Sequence, residues 1–188
     1  MILFMIRHGQ TTANLDGVYS GQTDVMLTEQ GKAQAEALRP KLAKYSFDQV
    51  WSSDLTRAAE TQRLAIPGVE GNRTALLREI DVGELAGQSI TAVREKYGDL
   101  RGDYSPFGGE SYGQLTGRVR KFLDQLEADP CERVAAFAHG GLINGMLNIV
   151  LGGRANVSAA VNGNCNIAVF RFDGKRWMLL AWNYMGEV

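Results

Sequence analysis

Several things are scarce in this sequence, and each shortage narrows what the chain can be. There are two cysteines in 188 residues, Cys131 and Cys165, far apart and outside any CxxC pair. That argues against a disulfide framework or a thiolate metal site, and reads as reduced thiols in a cytoplasmic protein. HExxH is absent and so is an oxygen-rich cage for magnesium, so neither a metal nor another cofactor is expected. Excess charge of one sign is missing too: 20 Lys and Arg face 21 Asp and Glu, a net charge of −1. With no long like-charge run, the chain lacks the footprint of a nucleic-acid binder or a membrane-surface protein. Long apolar runs are absent. Met1–Ile6 is too short to span a bilayer and lacks the basic flank and cleavage site of a signal peptide. No repeat, low-complexity tract or linker divides residues 1–188, which are expected to form one domain with a sizeable core. Oligomeric state is not legible. Histidine is the last scarcity: there are two, His8 and His139.

Those two histidines share a context. Six apolar residues, Met1 to Ile6, precede Arg7-His8-Gly9, and an unalternating run of that length reads as a strand buried on both faces. Val134–Ala138 is a second such run, followed by His139-Gly140-Gly141. Strand ends are where open α/β sheets bind ligands. Two histidines in Gly-flanked strand-end positions read as facing one crevice, against the alternative that each is satisfied locally.

The remaining chain alternates strand and helix signals. Thr28, with Glu29 in the first turn, is an N-cap opening a helix to about Tyr45, kinked near its end by Pro40. Residues 47–51 read as a strand, Ser52-Ser53 as a turn, 54–65 as a helix and 72–77 as a strand. The stretch 79–113 is glycine-rich and irregular around one short helix at 91–97, and long segments of this kind act as lids. Ser111 and Gln114 form a capping box opening a helix to about Glu127. A further helix covers about 142–151. Asp173-Gly174 between two apolar-aromatic runs is a hairpin signal. The expected fold is an α/β three-layer sandwich, its sheet mostly parallel with an antiparallel edge.

Two more residues fall near the strand ends. Arg57 sits one turn into the helix after the second strand. Taken alone it is a solvated surface residue, but that junction also suits a phosphate. Glu79 follows a short apolar run as the histidines do, and a carboxylate near two histidines and two arginines suggests a proton donor. Asp81 and Glu84 are nearby alternatives, with surface or structural readings.

These residues, in this order, resemble the histidine phosphatase superfamily, also called phosphoglycerate mutase-like. The likeness is carried by Arg7-His8-Gly9, Gly21-Gln22-Thr23-Asp24, Leu27–Gly31, Ser53–Ala58, Glu79–Gly83, Gly109-Glu110-Ser111 and His139-Gly140-Gly141. The resemblance implies a covalent mechanism. His8 would attack phosphorus through a neutral ring nitrogen, its other nitrogen held by an acceptor such as a backbone carbonyl. Arg7, Arg57 and His139 would surround the phosphoryl oxygens, with helix N-termini after Asp54 and at Gly140-Gly141 adding N–H donors. Asn14 would contribute its amide, and Gly21, Gln22 and Gly140 would line the phosphate or substrate site. Glu79 would protonate the leaving oxygen and then deprotonate the attacking water.

The same first step serves a phosphatase and a mutase. The resemblance implies that cofactor-dependent mutases are longer, with extra residues after the helix containing Arg57. The compact stretch 65–79 would therefore let water reach the intermediate, which favours a phosphatase. Mutase-type phosphoryl transfer is the enzymatic alternative, and a non-catalytic phospho-ligand binding module is the other. The expected partner is a small phosphorylated metabolite. Residues 84–112 would line its pocket, with Tyr97, Tyr104, Phe107 and Tyr112 either touching it or simply packing. Arg94, Lys96 and Arg101 form no second phosphate cluster, which favours a monophosphate ester.

Overall fold

The computed structural model describes residues 1–100, 102–153 and 162–184, so Arg101 lies outside the described residues. The elements run β1 (Ile2–Arg7), α1 (Thr12–Asp16), α2 (Glu29–Glu36), α3 (Arg39–Leu42), β2 (Gln49–Ser53), α4 (Thr56–Ala65), β3 (Asn72–Thr74), α5 (Ile90–Tyr97), α6 (Tyr112–Ala128), β4 (Arg133–Ala138), α7 (Gly140–Val150), β5 (Ile167–Phe172) and β6 (Trp177–Ala181). Short 3-10 turns lie at Ala75–Leu77, Gly83–Leu85 and Ser105–Phe107. The six strands form one sheet in the order β3-β2-β4-β1-β5-β6. Neighbours from β3 to β1 pair in parallel, while the β1–β5 and β5–β6 pairs are antiparallel. This is the three-layer, mostly parallel sheet with an antiparallel edge that the sequence implies.

Side-chain alternation divides the core. Leu3 and Met5 of β1, Val134, Ala136 and Ala138 of β4, and Ala168 and Phe170 of β5 pack with α6 and α7 on one face. Phe4 and Ile6, Ala135 and Phe137, and Ile167 and Val169 pack with Leu38, Leu42 and Ala65 on the other. Both faces of the central strands are apolar, which is why their sequences show no alternation. Burying one such side chain is worth roughly 1.5–3 kcal/mol.

Three expectations about local structure change, and one helix is new. Residues 28–45 are not one helix: α2 ends at Glu36, and Pro40 sits in the first turn of α3, where its missing N–H costs nothing. Ser52 and Ser53 end β2 instead of forming a turn, both fully buried and paired into the sheet. The strand expected over 72–77 stops at Thr74, whose hydroxyl accepts from the Leu76 N–H and winds the rest into a 3-10 turn. The loop after Gly9 contains α1, five residues held by a capping box between Thr11 and Asn14. Thr28 and Ser111 cap α2 and α6 as expected.

The loop after β1 lies against α2 through two glycines. A Cβ on Gly9 would stand 2.3 Å from the Gly31 carbonyl oxygen, and one on Gly31 would stand 2.0 Å from that of Gln10. Both obstacles are backbone, so no rotamer change relieves them. Gly31→Ala is therefore expected to destabilise the protein by roughly 2 kcal/mol or more, although alanine favours a helix by about 1 kcal/mol over glycine. A urea midpoint equal to or above that of the wild type would contradict this.

Candidate active site

The parallel register sets Arg7 opposite Ala138, so His8 and His139 leave adjacent strands side by side. Their ring centroids are 5.1 Å apart. His8 is 4% exposed and His139 is fully buried.

The two rings carry their protons on opposite nitrogens. His8 Nδ1 lies 2.7 Å from the Gly9 carbonyl oxygen, which can only accept. The proton is thus on Nδ1, and Nε2 holds the lone pair. In His139 the order reverses. Its Nδ1 accepts from Arg57 Nε at 3.1 Å, and a guanidinium can only donate, so His139 carries its proton on Nε2. Burial first, then Arg57 and other nearby cations, hold both imidazoles well below the ordinary histidine pKa. Both rings are neutral at pH 7: one presents a nucleophilic nitrogen, the other a hydrogen-bond donor.

Arg57 is fully buried in the first turn of α4, which removes its surface reading. Besides His139, it donates from Nη1 to the Thr23 carbonyl at 2.8 Å and from Nη2 to the Gly21 carbonyl at 2.7 Å. Three of its five N–H donors are spent on the protein, leaving one on each terminal nitrogen. Arg7 donates from Nη1 to the Asn162 carbonyl, while its Nε has no partner among the described residues. His139 Nε2 and Asn162 Nδ2 are likewise buried and unpaired. Buried donors without acceptors cost roughly 1–3 kcal/mol each, and an anion would satisfy them.

Glu79 lies across from these cations at the start of α7. Its Oε2 accepts from the Gly141 N–H at 3.0 Å and its Oε1 from the Ile80 N–H at 2.9 Å. A Cβ on Gly141 would come within 2.4 Å of Glu79 Oε1, so any larger residue there would displace the carboxyl from this place. Neither alternative carboxylate shares this place. Asp81 closes a turn onto the Gly83 N–H at 2.9 Å, and Glu84 lies in the following 3-10 turn.

The other expected contacts are redistributed. Gly21, at φ 49, serves through its carbonyl on Arg57 and through close approach to Val82. Gln22 donates from Nε2 to the Glu79 carbonyl at 3.3 Å. Gly140 opens α7 beside Arg7, whose Nε lies 3.4 Å from where a Cβ would stand, an ordinary contact. Asn14 Oδ1 accepts from the Thr11 N–H and from Asn164 Nδ2, leaving its NH₂ to donate elsewhere. The helix N-termini are not open donors throughout. Asp24 takes the Thr56 N–H of α4 at 2.8 Å, and Glu79 takes that of Gly141 in α7. Both helix ends hold carboxylates of the protein itself, which is where a helix dipole favours negative charge.

Of the four aromatic candidates, Tyr104 alone is tied to the site among the described residues. Burial pushes its hydroxyl up, and Tyr19 and the Glu79 charge add to this. Tyr97 packs edge-on against Phe107, and Tyr112 donates to the Asn144 carbonyl. Sequence reasoning missed Thr61, which accepts from the Gly9 N–H and donates to the Arg57 carbonyl, joining the loop after β1 to α4. It also missed Asn162, Asn164 and Arg118. Apart from the Thr61 bond to the Arg57 carbonyl one helical turn away, their partners lie 8 to 156 residues off in sequence, so no local pattern marks them.

A family model for the histidine phosphatase superfamily, branch 1, matches residues 3–185. The chain belongs to this superfamily. It is 32% identical over 154 residues to an adenosylcobalamin/alpha-ribazole phosphatase of Salmonella typhimurium, covering 77% of this chain and 76% of that protein. It is 34% identical over 164 residues to a 2,3-bisphosphoglycerate-dependent phosphoglycerate mutase of Xanthobacter autotrophicus, covering 78% and 79%. A mycobacterial glucosyl-3-phosphoglycerate phosphatase, solved with VO3, superposes with a TM-score of 0.88 at 31% identity, over 98% of this chain and 99% of that one. Phosphatases and mutases are thus matched about equally well, and identity alone does not separate them. No described helix is long and apolar enough to cross a membrane.

With only two histidines, imidazole ¹⁵N spectra are simple to assign. At pH 6 both rings are expected to be neutral, His8 as the Nδ1–H tautomer and His139 as Nε2–H. A charged ring, or one shared tautomer, would refute this arrangement. The sign for stability follows. Folded values below the ordinary 6.5 mean that the unfolded chain protonates first as pH falls. Stability that is full above about pH 6.5 is then lost on acidification below it. The melting temperature is expected to drop between pH 7.5 and 5, and to drop less in His139→Gln.

Proposed function

We propose that the protein is a metal-independent phosphatase that hydrolyses a small phosphate monoester through a phosphohistidine on His8. The observation that carries this reading is the opposed pair of tautomers: a neutral nucleophilic nitrogen 5.1 Å, ring to ring, from a neutral donor. Depressed imidazole pKa values keep that pair ready at neutral pH. His8 Nε2 attacks phosphorus as the ester oxygen departs. His139 Nε2–H, Arg7 Nε–H and the two remaining Arg57 N–H groups hold the phosphoryl oxygens, where charge builds in the transition state. Glu79, entering the step in its acid form, gives its proton to the leaving oxygen and, as the carboxylate so formed, takes one from the water that cleaves the N–P bond.

A monophosphate ester suits the segment 79–113, whose described residues gather no second cluster of cations around the acid. We read this segment as the specificity-bearing part of the single domain, with Tyr104 and Tyr19, 5.7 Å apart edge to face, beside Glu79. Free thiols at Cys131 and Cys165 suit a reducing compartment, the cytoplasm. Mutase-type transfer has one observation in its favour, the 34% identity to a phosphoglycerate mutase. It requires turnover that depends on a bisphosphorylated primer, which a phosphatase does not.

The nucleophile is tested by quenching turnover of a ³²P-labelled ester. Label on the protein is expected to survive alkali and be lost in acid, and His8→Ala is expected to abolish labelling and turnover together. Retained turnover in that variant would end the proposal. Arg57→Lys is expected to lower kcat/KM on the order of 10²-fold, because a point charge cannot reproduce donors aimed in four directions. Near wild-type kinetics would place Arg57 outside the reaction. Glu79→Gln is expected to damage hydrolysis of an alkyl phosphate about 10²-fold or more beyond its effect on p-nitrophenyl phosphate, whose leaving group departs without a proton. The same pattern in Asp81→Asn instead would move the acid to Asp81.

A further inference from the structure

Arg118, in the second turn of α6, spends all five of its N–H donors on one neighbouring segment and its flank. Nε donates to Glu110 Oε1 at 2.9 Å and Nη2 to Glu110 Oε2 at 2.7 Å, a bidentate pair. Nη1 donates to the carbonyls of Leu76 at 3.0 Å and Arg78 at 2.8 Å, and Nη2 also donates to that of Glu79 at 3.0 Å. Glu110 continues the grip: its Oε2 accepts from the Asp81 N–H at 3.0 Å, and its own N–H donates to the Asp81 carbonyl at 2.9 Å. Residues 76–81, which belong to no strand or α-helix, are thereby held at five backbone atoms. The pair is largely shielded, with side chains 15% and 19% exposed, so these charge-assisted bonds are not dissipated in water.

One of the five contacts reaches the Glu79 carboxyl by a rigid path. The Glu79 carbonyl and the Ile80 N–H belong to one planar peptide group. Arg118 holds the carbonyl end, and the N–H end donates to Glu79 Oε1. Turning that plane would move the N–H off the carboxylate and the carboxylate off Gly141. We infer that Arg118, locked by Glu110, is a positioning residue that orients the Glu79 carboxyl through the Glu79–Ile80 peptide group. This rests on the reading of Glu79 as the proton donor, and Arg118 itself contacts no reacting atom.

The test compares wild type with Arg118→Lys, Glu110→Gln and Glu79→Gln on p-nitrophenyl phosphate and on phenyl phosphate, whose leaving group is the stronger base. Arg118→Lys keeps the charge but offers three donors where five are used. Its kcat on phenyl phosphate is expected to fall about 10-fold or more, and on p-nitrophenyl phosphate by less than about 3-fold. The basic limb of its pH–rate profile is expected to move upward, because a carboxylate that loses N–H donors holds its proton to higher pH. Added to Glu79→Gln, Arg118→Lys is expected to bring no further leaving-group-dependent loss. Equal loss on both substrates with an unmoved basic limb would overturn the inference and leave Arg118 a purely structural residue. If circular dichroism shows Arg118→Lys unfolded, Glu110→Gln decides by the same two readouts. A leaving-group-dependent loss in Glu79→Gln without one in Arg118→Lys defeats this inference alone. No such loss in Glu79→Gln defeats the reading of Glu79 as the acid.

Discussion

The parallel pairing of β1 with β4 is the constraint on which the rest depends. Its register sets Arg7 opposite Ala138, and the next residue on each strand is a histidine. Both strands are apolar on both faces, so a slip of one residue would exchange their two sets of buried side chains between the layers of helices. The hydrophobic core therefore fixes the separation of the two rings far more firmly than contacts within the site could. The site inherits its precision from the sheet.

Electrostatics then decides what each ring does. Two arginines with buried guanidinium groups beside two buried histidines would repel a protonated imidazole, and burial alone disfavours one. Neutral rings can still be nucleophile or donor, and the hydrogen bond on the far nitrogen decides which. A backbone carbonyl makes His8 a lone-pair donor, and the Arg57 guanidinium makes His139 a proton donor. Positive charge is balanced locally by Glu79, which raises the pKa of both arginines against the burial that lowers them. A dianionic phosphoryl group would complete that balance, and it would meet the donors that the protein leaves unpaired.

Close backbone packing supports this arrangement at every corner. Gly9 and Gly31 interlock the nucleophile loop with α2, Gly21 lets a carbonyl reach Arg57 beneath Val82, and Gly141 admits the Glu79 carboxylate to the end of α7. A Cβ would meet backbone carbonyls at Gly9 and Gly31, the Val82 side chain at Gly21, and the Glu79 carboxylate at Gly141.

The sequence by itself determined the layered fold, the two histidines at strand ends, and the capped starts of α2 and α6, because these depend on local patterns: apolar runs, N-caps and a Gly-flanked turn. It also singled out Arg57 and Glu79 near the strand ends, leaving Arg57 beside a surface reading and Glu79 beside Asp81 and Glu84, and the family resemblance gave the two their expected roles. Only the tertiary structure decided that Arg57 is buried, that Glu79 and not Asp81 or Glu84 meets α7, and which nitrogen of each imidazole holds the proton. It alone produced Thr61, Asn162, Asn164 and the Arg118–Glu110 pair. The physical reason is range. A cap or a strand is specified by neighbours a few residues apart, whereas a tautomer or a carboxyl orientation is set by hydrogen bonds between groups that meet only after the chain has folded.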